Sequence, residues 1–151
     1  MKGLSVRVKS KAGQIVRIQL NPDGNTSRSA RDFDGQQSLR SYVAGRLNGT
    51  VTLDWSLLAT EDVTDFQRSV YAETARISAG ERRTYEDIAE ALENPGASRA
   101  VGQALGRNPV PLVVPCHRVV RSDGTLGGFA GSDDSSLKRR LLDLESRSNG
   151  A

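Results

Sequence analysis

The sequence predicts an α+β fold. We expect a small N-terminal α/β domain with a β-hairpin or sheet plus a helix, followed by a mostly helical C-terminal domain with a helix-turn-helix. Apolar and polar residues alternate over residues 4–20, which is typical of half-buried strands. After residue 60, apolar residues recur at helical spacing between segments rich in Gly and Pro. We therefore predict a structural domain over 1–60 and a second domain over 61–151.

The N-terminal domain opens with "LSVRVKS" and "QIVRIQL", which flank "KAG" and predict a β-hairpin. The turn residues of "NPDGN" end the second strand. "QQSLRSYVAGRL" predicts a short helix, and "GTVTLDWSL" predicts another strand. This region holds no motif with evident chemistry, so we interpret it as structural support.

The second domain opens with "VTDFQRSVYAETARI", whose apolar residues recur at helical spacing. "GERRTYEDIAEAL" predicts another helix, since Thr84 and Asp87 resemble a capping box with Asp in place of the usual Glu. "ENPG" ends that helix, and "ASRAVGQALG" predicts a third, which Gly106 stops. These last two helices are a helix-turn-helix candidate, and a plain helical hairpin is the alternative that the pattern leaves open.

The C-terminal third begins with "NPVPLVVPC", which is apolar and interrupted by Pro, so it predicts a buried extended segment. "RSDGTLGGFAGSDDSS" predicts a loop. "SLKRRLLDLES" predicts a closing helix with Leu137, Leu141 and Leu144 on one face. Glu145 lies one turn after Leu141 and therefore borders that apolar face.

Composition limits the classes of protein to consider. The formal net charge is +3, and the pI is about 9.3, which weakly favours a polyanionic partner such as nucleic acid. A single Cys allows no internal disulfide and indicates a reducing, cytoplasmic setting. No apolar run reaches the length of a membrane span, and the charged N-terminus is unlike a secretory signal, so we expect no membrane contact.

The only Cys and the only His of the chain are adjacent, in "VPCHRVV". Three interpretations are open: an inert buried thiol beside a surface His, a metal site, or a thiolate nucleophile beside its base. One Cys and one His give fewer ligands than zinc uses, so we predict no metal. A nucleophile would need a lowered thiol pKa, and hence a base or positive charge nearby.

Adjacency constrains how Cys116 and His117 cooperate. In a continuing strand their side chains would point to opposite faces, so they need a turn, which Pro115 favours, or a bridging water. His117 also needs a carboxylate that fixes its tautomer and stabilises its charged form. Glu145 is the candidate for that carboxylate, and an ordinary surface Glu is the alternative.

"NPVPLVVPCHRVV", preceded by "SRAVGQALGR" and followed by "GTLGGFAG", resembles the O6-alkylguanine-DNA alkyltransferases, the methylated-DNA–protein-cysteine methyltransferases. The resemblance covers residues 65–146. It implies a DNA repair protein that flips O6-alkylguanine out of duplex DNA and transfers the alkyl group irreversibly to a Cys, once per molecule. It also implies no cofactor, a monomer, and O4-alkylthymine as a second lesion to consider. DNA binding and transfer fall in 61–151, and 1–60 is similar to the family's variable N-terminal domain.

The resemblance implies roles for the residues around the thiol. Cys116 matches the acceptor nucleophile, His117 the base that acts through a water, and Glu145 the acid that completes the relay. Asn108 matches the residue that holds the turn carrying the Cys. Tyr85 matches the residue that contacts the guanine and the phosphate as the nucleotide rotates.

Further roles concern DNA and the pocket. Arg99 matches the residue that fills the gap in the base stack, and Ser98 and Gln103 are also expected to contact DNA. The expected walls of the base and alkyl pocket are Pro111, Val119, Phe129 and Ala130.

Two departures from the family pattern bear on the pocket. Phe129 and Lys138 enclose "AGSDDSSL", a longer loop than is usual, with Ser132 where a second Gly is common. Loop conformation and alkyl-size preference therefore stay open. Phe129 is Tyr in some relatives, so this wall lacks a hydroxyl.

Two other classes of protein compete with this interpretation. A helix-turn-helix protein that binds alkyl damage without repairing it is the main alternative, but proteins of that class lack the Cys. A Cys hydrolase would want an oxyanion hole and a base within direct reach, which an adjacent Cys-His pair does not suit.

Overall fold

The structure is a computed structural model that describes residues 5–21, 45–46, 52–59, 61–126 and 136–149. The chain divides into two units, 1–62 with 109–113, and 63–108 with 114–151. The segment 109–113, which the sequence analysis placed in the second domain, thus belongs to the first unit. The assignment of a structural role to 1–60 and of DNA binding to 61–151 stays a prediction.

The first unit contains the predicted hairpin, formed by β1 (Ser5–Lys11) and β2 (Gln14–Asn21). Both turn residues have positive φ, 54° at Ala12 and 80° at Gly13, as a tight two-residue hairpin turn requires. The pairing register shifts between Lys9 and Ser10, which pair with Arg17 and Ile15. Val16, between these two partners, is left unpaired on β1. This bulge is why Ile15 and Ile18 are both buried although they are three residues apart, while Val16 is 40% exposed.

The predicted strand over 49–57 is wrong for its last residues, because Trp55–Leu57 form a 3-10 turn. Asp54 starts this turn, and its carboxylate accepts hydrogen bonds from the Ser56 backbone N–H (2.9 Å) and hydroxyl (2.6 Å). Such local bonds compete with strand pairing. Among the described residues, this segment forms one parallel bridge, between Leu58 and Ile15. Of the predicted helix over 36–47, only 45–46 are described, and these are helical.

A buried arginine in the first unit holds the segment 109–113. Arg46 donates to the Val113 carbonyl from Nε (3.1 Å) and from Nη2 (2.7 Å). The Ile18 N–H also donates to the Pro109 carbonyl, at 2.8 Å. The predicted extended course of this segment is interrupted at Leu112, where φ is 76°. Three prolines in and beside the segment cannot donate to a strand ladder, which favours such a bend.

The second unit contains the predicted helices. They are α1 (Asp65–Thr74), α2 (Tyr85–Ala91), α3 (Ser98–Gly106) and α4 (Ser136–Asn149). The Thr84–Asp87 capping box is present, and Thr64 with Gln67 forms another at the start of α1. α3 ends at Gly106 as expected. The predicted α+β class with a helix-turn-helix is confirmed.

Packing in the second unit brings the helix-turn-helix against the thiol segment. Two residues before α2 form β3 (Arg83–Thr84), which pairs in parallel with β4 (Val119–Val120). Tyr71 of α1 donates its hydroxyl to the Ala104 carbonyl of α3 at 2.7 Å. The core includes fully buried side chains from α1, α2, α3 and the thiol segment: Val70, Ile88, Val101, Val114 and Val119.

The buried face of α4 differs from the predicted one. Lys138, Leu141 and Leu142 are buried, whereas Leu137 and Leu144 are only half-buried. The buried stripe therefore runs along 138, 141 and 142 and includes a lysine, and half-buried Glu145 borders it. Within the described ranges, no helix combines the length and apolarity needed to cross a bilayer.

The capping box at α2 gives a first prediction. Thr84→Ala removes the hydroxyl that accepts from the Asp87 N–H at 3.0 Å. We expect a loss of about 1 kcal/mol in the free energy of unfolding. For a chain of this size each kcal/mol corresponds to roughly 2–4 °C in Tm. Thr84→Ser keeps the hydroxyl and is the control. An unchanged Tm for Thr84→Ala, measured by calorimetry, would contradict the role of this cap.

Candidate active site

The thiol sits on two consecutive tight turns. Pro115 has φ −78° and ψ 66°, and the Cys116 N–H donates to the Val114 carbonyl at 2.7 Å, which is an inverse γ-turn. A 3-10 turn follows over Cys116–Arg118, in which the Arg118 N–H donates to the Pro115 carbonyl at 3.0 Å. The backbone therefore turns at Pro115, as predicted, and the side chains of Cys116 and His117 need not point to opposite faces.

Asn108 fixes the first of these turns. Its Nδ2 donates to the Val114 carbonyl at 2.9 Å, so that this carbonyl accepts from both Asn108 and the Cys116 N–H. The Asn108 backbone N–H in turn donates to the Leu105 carbonyl at 3.2 Å. The end of α3 and the thiol turn are therefore tied together through one buried amide side chain.

His117 is paired with the predicted carboxylate. Its Nε2 lies 2.7 Å from Glu145 Oε1, and only 1% of the His117 side chain is exposed. Burial raises the pKa of Glu145, but hydrogen bonds and positive charge from His117 and Arg118 outweigh burial and lower it to about 2. An ionised carboxylate only accepts, so His117 carries its hydrogen on Nε2. In the neutral ring, Nδ1 is then the basic nitrogen.

Arg118 has a role in the site that was not predicted from the sequence. This side chain is buried and clamps the same carboxylate, with Nε 2.9 Å from Oε1 and 3.1 Å from Oε2, and Nη2 2.6 Å from Oε1. Its Nη1 donates to the Ile77 carbonyl, just beyond α1, at 2.7 Å. A signal was present: Arg118 is a charged residue between the apolar segments "NPVPLVVPC" and "VV".

Charge states follow from this burial. Burial raises the pKa of the Cys116 thiol, and the Asn108 hydrogen bond and Lys138 charge lower it without outweighing burial. A nucleophile at this buried position therefore needs a base that removes its proton, since burial favours the protonated thiol. Burial lowers the pKa of His117, although Glu145 raises it. The resting pair is a protonated thiol and a neutral imidazole.

A second missed residue, Lys138, lies beside Tyr85. Its Nζ donates to the Tyr85 hydroxyl at 3.3 Å and to the Leu126 carbonyl at 2.5 Å, and it lies 5.5 Å from the centre of the Tyr85 ring. Burial lowers the pKa of Lys138 to about 8. Burial also raises the pKa of Tyr85, and so does the charge of Cys116. The signal for Lys138 was its helical spacing with Leu141 and Glu145.

The residues expected to contact DNA share one helix. Arg99 and Gln103 are exposed on α3, and Ser98 at its first turn is half-buried. The opposite face of α3 is buried, through Val101 and Leu105. The spacing of Arg99 and Gln103 places both on the open face of the helix.

The expected pocket walls are only partly described. Val119 is fully buried in β4, opposite Arg83. Pro111 is buried in the segment that belongs to the first unit. Phe129 and Ala130 lie outside the described residues. In the described part of the chain, no cluster of three or more His, Cys, Asp or Glu has the arrangement of a metal site.

The depressed pKa of Glu145 gives a second prediction. The folded value of about 2 lies below the ordinary 4.5, so folding favours the ionised form. This stabilisation is complete above about pH 4.5 and is lost as the pH falls towards 2. Glu145→Gln should lower stability at neutral pH and flatten the acid limb of the stability curve. Urea unfolding at several pH values measures this. An acid limb as steep as that of the parent protein would exclude Glu145 as its cause.

Residues 65–147 match the family model described as the DNA-binding domain of 6-O-methylguanine DNA methyltransferase. A methylated-DNA–protein-cysteine methyltransferase of Mycobacterium bovis is 37% identical over 142 residues, which cover 93% of this chain and 78% of the relative. The Methanosarcina barkeri relative of the same name is 41% identical over 112 residues, or 74% of this chain and 66% of the relative.

Solved structures agree with these sequence matches. The Mycobacterium tuberculosis OGT structure in complex with DNA has a TM-score of 0.69 and 31% identity, and the match covers 94% of this chain and 86% of that one. The O6-methylguanine-DNA methyltransferase of Pyrococcus kodakaraensis has a TM-score of 0.65 and 27% identity, covering 94% of this chain and 98% of that one. The chain therefore belongs to the O6-methylguanine-DNA methyltransferase family.

Proposed function

We propose that this protein repairs DNA by flipping O6-alkylguanine out of the duplex and transferring the alkyl group irreversibly to Cys116. One observation carries the proposal. The only thiol of the chain lies on a turn held by Asn108, directly before a buried histidine whose Nε2 is 2.7 Å from the half-buried Glu145 carboxylate. Relatives that cover most of this chain are named for the same activity.

The thiol must lose its proton before sulfur attacks, since burial keeps it protonated. His117 is the acceptor for that proton. Its Nε2 hydrogen is donated to Glu145, so Nδ1 receives the proton, through a water between the two groups. Glu145 then stabilises the imidazolium that forms.

The transfer step is a displacement at carbon. Sulfur forms a bond to the alkyl carbon, the bond from that carbon to O6 breaks, and guanine leaves with the electron pair. Tyr85 donates a proton to the ring as negative charge develops. Lys138 donates to the Tyr85 oxygen, so the hydroxyl hydrogen of Tyr85 is not used in this bond and can be donated to the base. The ammonium group also stabilises the phenolate that this proton transfer leaves.

The substrate group lies inside the duplex, so the base must leave the stack at a cost of a few kcal/mol. Arg99, on the open face of α3, offsets part of this cost by filling the space that the base vacates. Ser98 and Gln103 contact the DNA backbone. A damaged guanine pairs poorly, which lowers the cost of extruding it. O4-alkylthymine is a second candidate substrate for the same site.

The product is a thioether on Cys116, and no side chain of the site cleaves a thioether. The protein therefore acts once per molecule, without a cofactor. We place it in the cytoplasm, as a monomer on double-stranded DNA. A damage-binding protein without chemistry would have no use for a nucleophile at this position, so Cys116 argues against that alternative.

Stoichiometry tests the proposal. After exposure to duplex DNA that contains O6-methylguanine, we expect intact mass spectrometry to find one added methyl group, on Cys116. Cys116→Ser should bind the same DNA and take up no methyl group. Repeated turnover by the parent protein, or methylation of the Cys116→Ser variant, would overturn the mechanism.

The role of Arg99 gives a separate prediction. If insertion of its side chain offsets about 1.4 kcal/mol of the flipping cost, Arg99→Ala should slow duplex repair about tenfold. Reaction with free O6-benzylguanine needs no flipping and should keep its rate. Arg107→Ala, which removes an exposed charge at the end of the same helix, is the matched control. Equal losses on both substrates would show that Arg99 supports the pocket instead.

A further inference from the structure

Arg118 and His117 share one carboxylate oxygen. Glu145 Oε1 lies 2.7 Å from His117 Nε2, 2.9 Å from Arg118 Nε and 2.6 Å from Arg118 Nη2. The side chains of His117 and Arg118 are 1% and 4% exposed, and that of Glu145 is 16% exposed. The charges in this cluster are therefore little screened by water.

A buried carboxylate needs a compensating positive charge. When a histidine lies beside such a carboxylate, the negative charge raises the pKa of the imidazole, and the imidazolium can supply the compensating positive charge. Here the guanidinium of Arg118 already neutralises Glu145, through donors to both carboxylate oxygens. The electrostatic reason for protonating His117 is thereby removed, while its hydrogen bond to Glu145 remains.

We propose that Arg118 keeps His117 uncharged in the resting protein, so that Nδ1 is available to receive the Cys116 proton. The inference deepens the proposed function and rests on it. Arg118 is a positioning residue in this scheme, because it acts on the reaction only through Glu145 and His117. Its other contact, with the Ile77 carbonyl at 2.7 Å, anchors the guanidinium to the end of α1.

The other charged groups around His117 agree with this assignment. Burial is the main influence that lowers the pKa of His117, Glu145 raises it, and the charges of Arg118 and Lys138 lower it. Lys138 donates to the Tyr85 hydroxyl and to the Leu126 carbonyl. Arg118 lies directly on the carboxylate, with donors to both of its oxygens.

His117 is the only histidine of the chain, so its ring nitrogens can be observed without assignment ambiguity. The test is a pH titration of protein with ¹⁵N-labelled histidine, in which nitrogen chemical shifts report tautomer and charge. In the parent protein we expect a neutral ring with hydrogen on Nε2 throughout the neutral range. An imidazolium at neutral pH would overturn the proposal without any variant.

Three variants separate charge from packing. In Arg118→Gln we expect the apparent pKa of His117 to rise by at least one unit, because Glu145 is left uncompensated. Arg118→Lys keeps the positive charge and should keep His117 neutral at neutral pH. Arg118→Gln combined with Glu145→Gln removes both charges and should also leave the ring neutral.

Two outcomes would overturn the proposal: an unchanged His117 titration in folded Arg118→Gln, or an imidazolium at neutral pH in the double variant. If Arg118→Gln does not fold, Arg118→Met, which is also uncharged and leaves Glu145 uncompensated, takes its place in the same titration, with the same two outcomes. Methyl uptake by Cys116, measured separately by mass spectrometry in the parent protein, tests the proposed function independently of these titrations.

Discussion

The Glu145 carboxylate is the interaction on which the rest of the site depends. It accepts from His117 at 2.7 Å and from three Arg118 donor contacts, and Arg118 extends the network to the Ile77 carbonyl. Helix α4, the thiol turn and the residues just beyond α1 are thereby joined through one half-buried carboxylate. Removing a single partner would leave an uncompensated charge or donor in the interior, which costs far more than the net worth of the intact network.

The thiol turn fixes the position of Cys116 relative to this network. The inverse γ-turn at Pro115 and the Asn108 amide both use the Val114 carbonyl, so they fix Cys116 at the end of α3. The parallel pairing of β3 and β4 fixes the start of α2, and therefore Tyr85, beside the residues that follow the thiol. The same short segment thus places the proposed nucleophile, its proposed base and the group proposed to protonate the leaving guanine.

Local signals were sufficient for much of this fold. The start of α2 is marked by Thr84 and Asp87, and the end of α3 by Gly106, all through signals within four residues. Helical spacing was enough to place Glu145 on α4. The contacts of Arg118 and Lys138 could not be predicted locally, because their partners, Ile77 and Tyr85, are 41 and 53 residues away in the chain. The strand predicted over 49–57 ends early because the Asp54 side chain starts a 3-10 turn at Trp55. Phe129 and Ala130 lie outside the described residues, so their placement stays a prediction.

Burial of the thiol has a consequence for a protein that acts once. A thiolate reacts with oxidants and with free electrophiles, and such a reaction would consume the molecule without repairing DNA. Burial raises the pKa of Cys116 and so keeps it in the less reactive protonated form. A neutral His117 completes this arrangement, because an imidazolium next to the thiol would favour its ionisation in the absence of substrate. Under the proposed mechanism, burial and the network around Glu145 act together: the network keeps His117 able to take one proton, and burial keeps the Cys116 thiol protonated until an alkylated base occupies the site.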